Sequence, residues 1–352
     1  MRLLITTNQG LKGYTNMKMT LAKMTFAATL AASSTALAGE AVTFGTNWVA
    51  QPEHGGFYQA VADGTYSACG LDVTIVPGGP NVNNRALLLA GKIDFLMDGN
   101  LLQPFNAVKQ GVPMVALASM FQKEPQVIMT HPNQGLDTWE SLKTADTLLI
   151  GNGGYQSFYR WMVSTGFKDE QRKPYTYSSA PFLANKKSGQ QGYVTSEPHV
   201  IEVEGGFSPN VFLLADYGFD TYSTLINTMR STLEERPEAV ECFVEGSILG
   251  WTNYMYGDRA EANALIQKDN PDMSQDKIDF AISQLNKYGI VDSGDSLTMG
   301  IGTMTDERIE SFYNKMVTAG VIDADLDYKK SYSLKYVNKG LGVDLKKKLM
   351  GN

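Results

Sequence analysis

Short apolar runs alternate with helical patterns in the first part of the chain after residue 40. Apolar and β-branched runs of strand length occur at Val42–Trp48, Leu71–Val76 and Ile93–Met97. Helical patterns occur at Phe57–Ser67, Asn83–Ala90 and Leu101–Gln110. A last strand of this part is expected at Pro113–Ala118. Strands that are separated by single helices predict right-handed crossovers onto a mostly parallel sheet.

The same alternation restarts after Gln122–Pro125, which predicts a second unit of α/β structure. Its expected strands are Gln126–Thr130, Leu148–Ile150, Tyr175–Tyr177 and Gly192–Thr195, and its expected helices are Phe158–Thr165 and Ala180–Lys187. Two further strands, Val211–Ala215 and Tyr222–Thr228, close this unit or return to the first. The pattern therefore predicts two α/β lobes that are joined near residues 125 and 220.

The last third of the chain is predicted to be helical. Pro237 stands where the first residue of a helix is expected. After Pro237, mostly apolar residues recur at steps of three and four, which is typical of a helix that packs on a core. They are Val240, Phe243, Val244, Ser247, Ile248, Trp251 and Met255. Two more helices are expected at Gln275–Lys287 and Asp306–Ala319, so the lobes carry a helical C-terminal appendage.

The N-terminal 38 residues have the pattern of a secretory signal peptide. A cationic segment, Met17–Lys23, precedes the apolar run Met24–Ala32, and Ala36-Leu37-Ala38 is a cleavage site of the A-x-A type. Residues 1–16 are interpreted as an extension upstream of the true start. The expected product is an exported periplasmic protein, and no cysteine follows the cleavage site to carry a lipid anchor.

Charge and cysteine usage narrow the classes of function. Without residues 1–38 the chain has 26 basic and 37 acidic residues, a formal charge of −11. This balance argues against nucleic acid and against an anionic membrane surface as partners. Cys69 and Cys242 could pair in an oxidising compartment, but their wide separation favours free or buried thiols as our expectation. Three histidines and no metal-binding motif make zinc improbable, and no cofactor is expected.

The stretch from Asn47 to Tyr58 contains the first candidate site residues. It joins a predicted strand to a predicted helix, and ligands of open α/β sheets bind where such loops leave the strands. Trp48, His54 and Tyr58 offer a flat π-face, a polar group that titrates near neutral pH and an amphipathic ring. The alternative is that Trp48 and Tyr58 belong to the core and that His54 is a solvated loop residue.

A set of short segments, in this order and spacing, resembles the periplasmic solute-binding proteins of ABC importers. Within that family the chain is most similar to the branch that binds the thiamine pyrimidine precursor, which is related to the nitrate, sulfonate and taurine binders. The segments are Asn47-Trp48, His54–Tyr58, Gly64, Gly70–Val73, Ala90–Phe95, Gly111–Val115, Phe121–Gln126 and Glu197-Pro198. They cover nearly all of the chain after residue 38.

The resemblance implies a periplasmic-binding-protein fold of type II, with a ligand cleft between two lobes. The first lobe is expected to comprise residues 39–124 and 221–352, and the second residues 125–220. The resemblance also implies that Trp48, His54 and Tyr58 face the ligand and that the Glu197 carboxylate contacts an aminopyrimidine. The expected partners are a small molecule and an ABC permease in the inner membrane, and the protein itself is expected to be a monomer.

Three further places are candidate contacts, each with an ordinary structural alternative. Asn100 follows a strand and could reach the cleft, or could only cap the next helix. The glycine-rich Gly151–Ser157, with Gly154 and Tyr155, could cradle a polar ligand on free N–H groups, or could be a tight turn. Gln122 is either a ligand contact or a hinge residue, and Glu197 either a ligand carboxylate or a solvated acid. His131 and His199 are expected to be ordinary surface or supporting residues.

Three hypotheses of function remain open from the sequence. The first is a binding protein for an uncharged or weakly basic aromatic heterocycle. The second is a binding protein for an oxyanion such as a sulfonate, taurine or nitrate, which an acid at position 197 would oppose. The third is an enzyme, either of pyrimidine synthesis or a hydrolase. No nucleophile-and-base motif supports a hydrolase, and two isolated cysteines cannot form the cysteine-rich motif of the related eukaryotic pyrimidine-making branch.

Overall fold

The computed structural model describes residues 39–351. The predicted signal peptide, residues 1–38, lies outside this range. Within it, no helix combines the length and the apolar character needed to cross a membrane.

The first sheet has five strands in the order β2-β1-β3-β10-β4. Four of its strands come from the first part of the chain and the fifth returns from much later. They are β1 (Glu40–Gly45), β2 (Leu71–Val76), β3 (Phe95–Asn100), β4 (Met114–Phe121) and β10 (Ser223–Met229). β1 pairs in parallel with β2 and β3, whereas β10 lies antiparallel between β3 and β4.

The second sheet also has five strands, in the order β7-β6-β8-β5-β9. They are β5 (Gln126–Thr130), β6 (Thr147–Ile150), β7 (Arg172–Pro174), β8 (Ser188–Tyr193) and β9 (Asn210–Leu213). β6 is parallel to β7 and β8, and β5 is antiparallel to β8 and β9. Each sheet is therefore mixed, and the chain passes between the sheets after β4 and again before β10.

Helices cover both sheets and form most of the C-terminal third. In chain order they are α1 (Gly55–Ala62), α2 (Thr65–Ala68), α3 (Asn84–Leu89), α4 (Leu102–Lys109), α5 (Trp139–Leu142), α6 (Asn152–Gly154), α7 (Arg160–Ser164), α8 (Ala180–Ala184), α9 (Glu197–Gly205), α10 (Arg230–Glu235), α11 (Pro237–Tyr256), α12 (Ala260–Asp269), α13 (Gln275–Lys287), α14 (Ser296–Met299), α15 (Asp306–Thr318) and α16 (Val343–Leu349). A π-helical turn, Tyr155–Tyr159, joins α6 to α7. This confirms the predicted α/β class with its helical appendage, whereas the lobe boundaries stay a prediction.

Most predicted elements occur within a few residues of their expected places, and the differences have local causes. The predicted helix Phe57–Ser67 is divided into α1 and α2 because Gly64 has a left-handed φ of 74°. The strand expected at Gly192–Thr195 begins earlier in the structure, as β8. The prediction misplaced it because most residues of β8 are polar and give no apolar strand pattern. Two of its buried side chains make hydrogen bonds to other segments: Gln190 Nε2 donates to Ser179 Oγ at 3.1 Å, and Gln191 Oε1 accepts from Gly151 N at 2.7 Å.

The close crossing of α1 and α11 explains the Gly55-Gly56 pair at the start of α1. A Cβ atom on Gly55 would lie 2.1 Å from the Tyr254 ring, and one on Gly56 would lie 2.1 Å from the Trp251 ring. Gly250 is equally restricted, since its Cβ would lie 2.3 Å from the Gly56 carbonyl oxygen. The predicted apolar face of α11 is buried here, with Trp251 and Phe243 fully enclosed.

The two cysteines form a disulfide, so the expectation of free thiols was wrong. Cys69 follows α2 and Cys242 lies on α11, and their Cα atoms are 5.9 Å apart. The packing of α2 against α11 brings together two residues that are separated by 173 positions in the chain. Sequence distance was therefore a poor guide to spatial distance. Of the two alternatives for His131, burial excludes the surface position, and the imidazole stacks between the rings of Phe182 and Phe207.

Candidate functional site

A cavity of about 300 Å³ lies between the two sheets, which is the size of a small-molecule site. Its walls come from the ends of strands in both sheets and from the loops and helix starts that follow them. The lining residues are Asn47, Trp48, Gln51, Glu53, His54, Met97, Gly99, Asn100, Gln103, Glu124, Gln126, Gly153, Gly154, Ser157, Tyr175, Tyr177, Gln191, Gly192, Tyr193, Ser196, Glu197 and Thr224. We call this the interlobe cavity.

Five of the eight residues that the sequence predicted as ligand contacts line the interlobe cavity. Trp48, His54 and Asn100 lie on the side of the first sheet, and Gly154 and Glu197 lie on the side of the second sheet. The chain brings them together from four separate segments, since Trp48 and His54 share the stretch between β1 and α1. The remaining three predicted residues lie elsewhere.

Trp48 is held in place through its main chain, which leaves its ring free for the cavity. Its carbonyl oxygen accepts hydrogen bonds from Thr46 Oγ1 at 2.7 Å and from Gly78 N at 2.9 Å. Gly78 must be glycine, because a Cβ atom there would lie 2.5 Å from the Thr46 carbonyl oxygen. The half-buried Trp48 ring meets the Tyr177 ring of the other lobe at 5.0 Å between centroids.

Asn100 both supports the start of α4 and lines the cavity, so the two alternatives raised for it are compatible. Its Oδ1 accepts from Leu102 N at 3.1 Å, and its own N–H donates to Gln103 Oε1 at 2.7 Å. The side chain also forms a hydrogen bond with Glu124 that favours the ionised carboxylate. The Ser223 hydroxyl, which adjoins Glu124 too, already donates to the Gly99 carbonyl oxygen at 2.5 Å.

The glycine-rich segment after β6 lets a helix start against the cavity. Gly151 N donates to Gln191 Oε1 at 2.7 Å, so one of the first N–H groups is already occupied. A Cβ atom on Gly154 would lie 2.5 Å from Gln191 Oε1 and 2.7 Å from the Phe158 ring. A Cβ atom on Gly153 would meet nothing within 4 Å. These contacts favour a helix start that packs closely at Gly154 over an open cradle of free N–H groups.

Tyr58 belongs to the core and not to the cavity, contrary to our prediction. It lies one turn into α1, on the face that packs against α12, and only 2 % of it is exposed. Its hydroxyl donates to Asp269 Oδ2 at 2.8 Å. Its side chain therefore points toward α12 and not into the cavity that Trp48 and His54 line.

Gln122 and Tyr155 are also placed away from the cavity. Gln122 lies in the crossover after β4, where Nε2 donates to the Thr303 carbonyl oxygen at 3.0 Å and Oε1 accepts from Arg308 at 3.3 Å. These contacts tie the crossover to the C-terminal part of the chain, and the role of a hinge residue stays a prediction. Tyr155 opens the π-helical turn on its outer side, where its hydroxyl donates to Asp169 Oδ2 at 3.4 Å and Arg172 lies 4.9 Å over its ring.

Two acids and three tyrosines of the cavity wall were not predicted from the sequence. Glu53 and Glu124 are almost completely buried. Glu124 belongs to a segment that carried the resemblance and Glu53 lies in the stretch from Asn47 to Tyr58, although neither was singled out. Tyr175, Tyr177 and Tyr193 come from chain between β7 and α9 that the sequence pattern described only as strands. The one signal available for Glu124 was its Glu-Pro pair with Pro125, which repeats the Glu197-Pro198 pair.

The three glutamates give the cavity its chemical character. Burial raises the pKa of Glu124 to about 8 and that of Glu197 to about 7, and it also raises the pKa of Glu53. Desolvation disfavours the charged form of each carboxyl group, which is the physical cause of all three shifts. Burial has the opposite effect on His54, lowering its pKa to about 3, so this imidazole is neutral at physiological pH.

No lysine or arginine side chain lines the cavity in the part of the chain that the structure describes. Four aromatic rings, Trp48, Tyr175, Tyr177 and Tyr193, make up much of the remaining wall. Among residues 39–351 no group of three or more histidine, cysteine or acidic side chains is arranged to hold a metal ion. The wall can accept hydrogen bonds from a positively polarised ligand and can stack on a ring.

Two residues of the wall have unusual backbone conformations. Tyr177 has φ of 62° and Thr224 has φ of 51°, in the left-handed region that bulky and β-branched residues rarely adopt. The other described non-glycine residues with positive φ are two asparagines, Asn133 and Asn338, for which this region is ordinary. Strained conformations of this kind cluster at binding sites, because surrounding structure is needed to hold them.

Sequence comparison relates the chain to one protein family. Residues 51–262 match the model of the family described as NMT1/THI5 like. No curated protein sequence matches the chain significantly. The matched range contains all of the lining residues except Asn47 and Trp48.

Structural comparison finds many solved proteins with the same periplasmic-binding-protein fold. The ligand-binding component of an ABC-type import system from Staphylococcus aureus, solved with zinc bound, has a TM-score of 0.61 at 12% identity and covers 86% of this chain and 99% of its own. A putative periplasmic sulfonate-binding protein of an ABC transporter from Methylobacillus flagellatus has a TM-score of 0.57 at 12% identity and covers 89% and 96%. A desulfurization enzyme reaches 0.53 at 10% identity and covers 86% and 99%. At such identities the likeness concerns the fold alone.

Proposed function

Since the chain belongs to the NMT1/THI5-like family, we propose that it is the periplasmic substrate-binding component of an ABC importer. In this proposal it binds a small aromatic heterocycle that carries an amino group, such as a thiamine pyrimidine precursor, in the interlobe cavity. It then delivers the ligand, as a soluble monomer, to a permease in the inner membrane. The chain acts by binding and release, without chemical turnover and without a cofactor.

One observation supports this ligand class above the others: the cavity wall contains three glutamates and no lysine or arginine among the described lining residues. A site with this charge accepts hydrogen bonds and attracts positively polarised groups. The aromatic residues Trp48 and Tyr177 add π-faces, and each stacked contact contributes on the order of 1 kcal/mol. An aminopyrimidine combines a flat ring with N–H donors, and so it matches both parts of the wall.

Glu197 is proposed to receive the amino group of the ligand. It stands at the first position of α9, and its Oε2 accepts from Tyr193 N at 2.7 Å, which fixes the orientation of the carboxylate. Its second oxygen is then available to the cavity. A charge-assisted hydrogen bond there would contribute roughly 1.5–3 kcal/mol to affinity.

The same wall opposes an oxyanion ligand, although one of the structural relatives is a putative sulfonate binder. A sulfonate or nitrate needs cationic side chains or several free N–H groups. The helix start at Gly151–Gly154 is the only candidate for such a site among the predicted residues, and Gln191 already occupies Gly151 N. Three acids in the same cavity would repel the anion further.

Thermal-shift measurements separate these ligand classes. We expect 4-amino-5-hydroxymethyl-2-methylpyrimidine to raise the melting temperature, whereas taurine and nitrate leave it unchanged. A ligand at 100 times its dissociation constant adds about 2.7 kcal/mol to the free energy of unfolding. Mass spectrometry of the small molecule that co-purifies with the exported protein identifies the natural ligand directly. Stabilisation by taurine or nitrate alone would overturn the proposal.

A turnover assay addresses the enzymatic alternative, which the fold does not decide because one structural relative is an enzyme. The ligand identified above is incubated with the protein and recovered. We expect it to be recovered unchanged while calorimetry shows saturable binding. Conversion of the ligand at a rate that depends on protein concentration would assign the protein to the enzymes.

A further inference from the structure

Glu124 is the most enclosed of the acids in the cavity wall. It lies in the crossover between β4 and β5, only 1 % of it is exposed, and its Oε2 has no hydrogen-bond partner within residues 39–351. Its hydrogen-bonding neighbours, the Asn100 and Ser223 side chains, are neutral, so a charge on the buried Glu124 has no cationic partner there and is strongly unfavourable. An unsatisfied carboxyl oxygen in a cavity wall is therefore a position that a ligand can complete.

The cations that lie nearest to Glu124 along the chain and around the crossover are engaged elsewhere. Lys123, its neighbour in sequence, pairs with Asp216 at 3.5 Å on the exposed side. Arg308 donates to the carbonyl oxygens of Gln122 and Asp220 and lies 4.1 Å over the Tyr222 ring. The protein thus supplies no positive charge to Glu124 from the residues that could most easily have reached it.

The three acids of the cavity have different local partners. Glu53 Oε1 accepts a short hydrogen bond from Thr195 Oγ1, which links the first lobe to the second. Glu197 Oε2 accepts from the Tyr193 main chain. Glu124 and Glu197 come from opposite lobes, and both keep an oxygen that can accept from a ligand.

We infer that Glu124 is a second ligand-anchoring carboxylate and that, together with Glu197, it makes the cavity selective for cationic ligands. The class of ligand is an aromatic ring that carries an amidinium, aminopyrimidinium or protonated amine group. This inference rests on the proposed function, because it takes the interlobe cavity as the ligand site. It goes further by assigning the charge of the ligand and the residue that recognises it.

The inference predicts that ligand binding releases protons. In the free protein Glu124 is mostly protonated at pH 7, because burial raises its pKa to about 8. A cation in contact lowers that pKa, so binding drives the proton off. Titratable groups from the other elements around the cavity contribute to the same balance: Glu53 and His54 ahead of α1, Tyr175 and Tyr177 after β7, Tyr193 of β8 and Glu197 of α9.

Benzamidine and benzamide are a matched pair of probes, since they have the same ring and nearly the same shape but only benzamidine is a cation at neutral pH. We expect calorimetry to show that the wild-type protein binds benzamidine at least about tenfold more tightly than benzamide. Repeating the titration in buffers with different ionisation enthalpies should show proton release for benzamidine only. The wild-type ratio needs no variant, so it tests the inference even if a variant misfolds.

The variants identify the residue responsible. Glu124→Gln should reduce the preference for benzamidine at least about fivefold and decrease the number of protons released, whereas Glu124→Asp should keep the preference. Glu261→Gln, an exposed glutamate of α12, is the control and should match the wild type. If Glu124 were only structural, its substitution would weaken both probes equally.

The possible failures are distinguishable. If neither probe binds the wild-type protein, the proposed aromatic site is wrong and the inference falls with it. If benzamide binds as tightly as benzamidine, or if Glu124→Gln keeps the full preference, the proposed function stands and the cation selectivity is refuted.

Discussion

Replacing Glu124 by glutamine should stabilise the ligand-free protein, and the size of this stabilisation should depend on pH. The ordinary pKa of a glutamate is 4.5, and in the folded protein burial raises that of Glu124 to about 8. The folded state therefore holds this proton more tightly than the unfolded state. Stability is unaffected below pH 4.5, falls as the pH rises from 4.5 to 8, and carries the full penalty above pH 8.

The size of the effect follows from the difference between the two pKa values. One pKa unit corresponds to 1.36 kcal/mol, so the full penalty is about 5 kcal/mol, of which about 3–4 kcal/mol develops between pH 5 and pH 8. Glutamine has the shape of the protonated glutamic acid but cannot ionise. The free energy of unfolding of Glu124→Gln, relative to wild type, should therefore rise by that amount over this range.

Urea denaturation at pH 5, 6, 7 and 8 measures this difference on protein freed of ligand by unfolding and refolding. His54, Glu53 and Glu197 are present in both proteins, so their titration largely cancels in the comparison. Glu261→Gln on the exposed face of α12 serves as the control and should show no dependence on pH. A difference between Glu124→Gln and wild type that stays constant within about 1 kcal/mol from pH 5 to pH 8 would refute the assignment of a buried acid without a cationic partner.

Four more outcomes are expected. Trp48→Ala should abolish ligand binding with little change in melting temperature, since the ring is half-buried and lies at the cavity; a large loss of melting temperature would instead make Trp48 a core residue. Glu197→Gln should weaken an aminopyrimidine by about one to two decades but strengthen an oxyanion, so the sign measured by calorimetry decides between these classes. Gly154→Ala should lower the melting temperature by several degrees because its Cβ would lie 2.5 Å from Gln191 Oε1, whereas Gly153→Ala should not. Replacing both Cys69 and Cys242 by serine should cost about 2–5 kcal/mol of stability in chemical denaturation; an unchanged midpoint would show that this disulfide contributes nothing.

Much of the architecture was predictable because it depends on local pattern. The bounds of α13 and β5 coincide with those expected from the sequence, and the buried face of α11 from Val240 to Met255 follows its apolar periodicity. Helix and strand periods are properties of neighbouring residues, so the chain itself contains this information. The strand β8 was misplaced because its residues are polar and buried, and only partners from other segments make that burial possible.

The site was only partly predictable, because its walls come from segments that are distant in sequence. Trp48 and Asn100 were found from their position at strand ends, which in an α/β sheet lie at a common edge. Tyr58 was misassigned because the sequence does not tell which neighbour a helix face will meet, here α12 and Asp269. The same reason applies to the disulfide between Cys69 and Cys242.

The sequence by itself thus determined the α/β class, the helical end and the segments in which the site would be found. Only the tertiary structure decided that Glu53, Glu124 and Glu197 meet in one cavity without a described lysine or arginine in its wall. The acidity of a site is a sum over side chains from separate segments, and the chain order does not contain their distances. Burial, which raises the pKa of these acids, likewise arises only when both lobes pack around them.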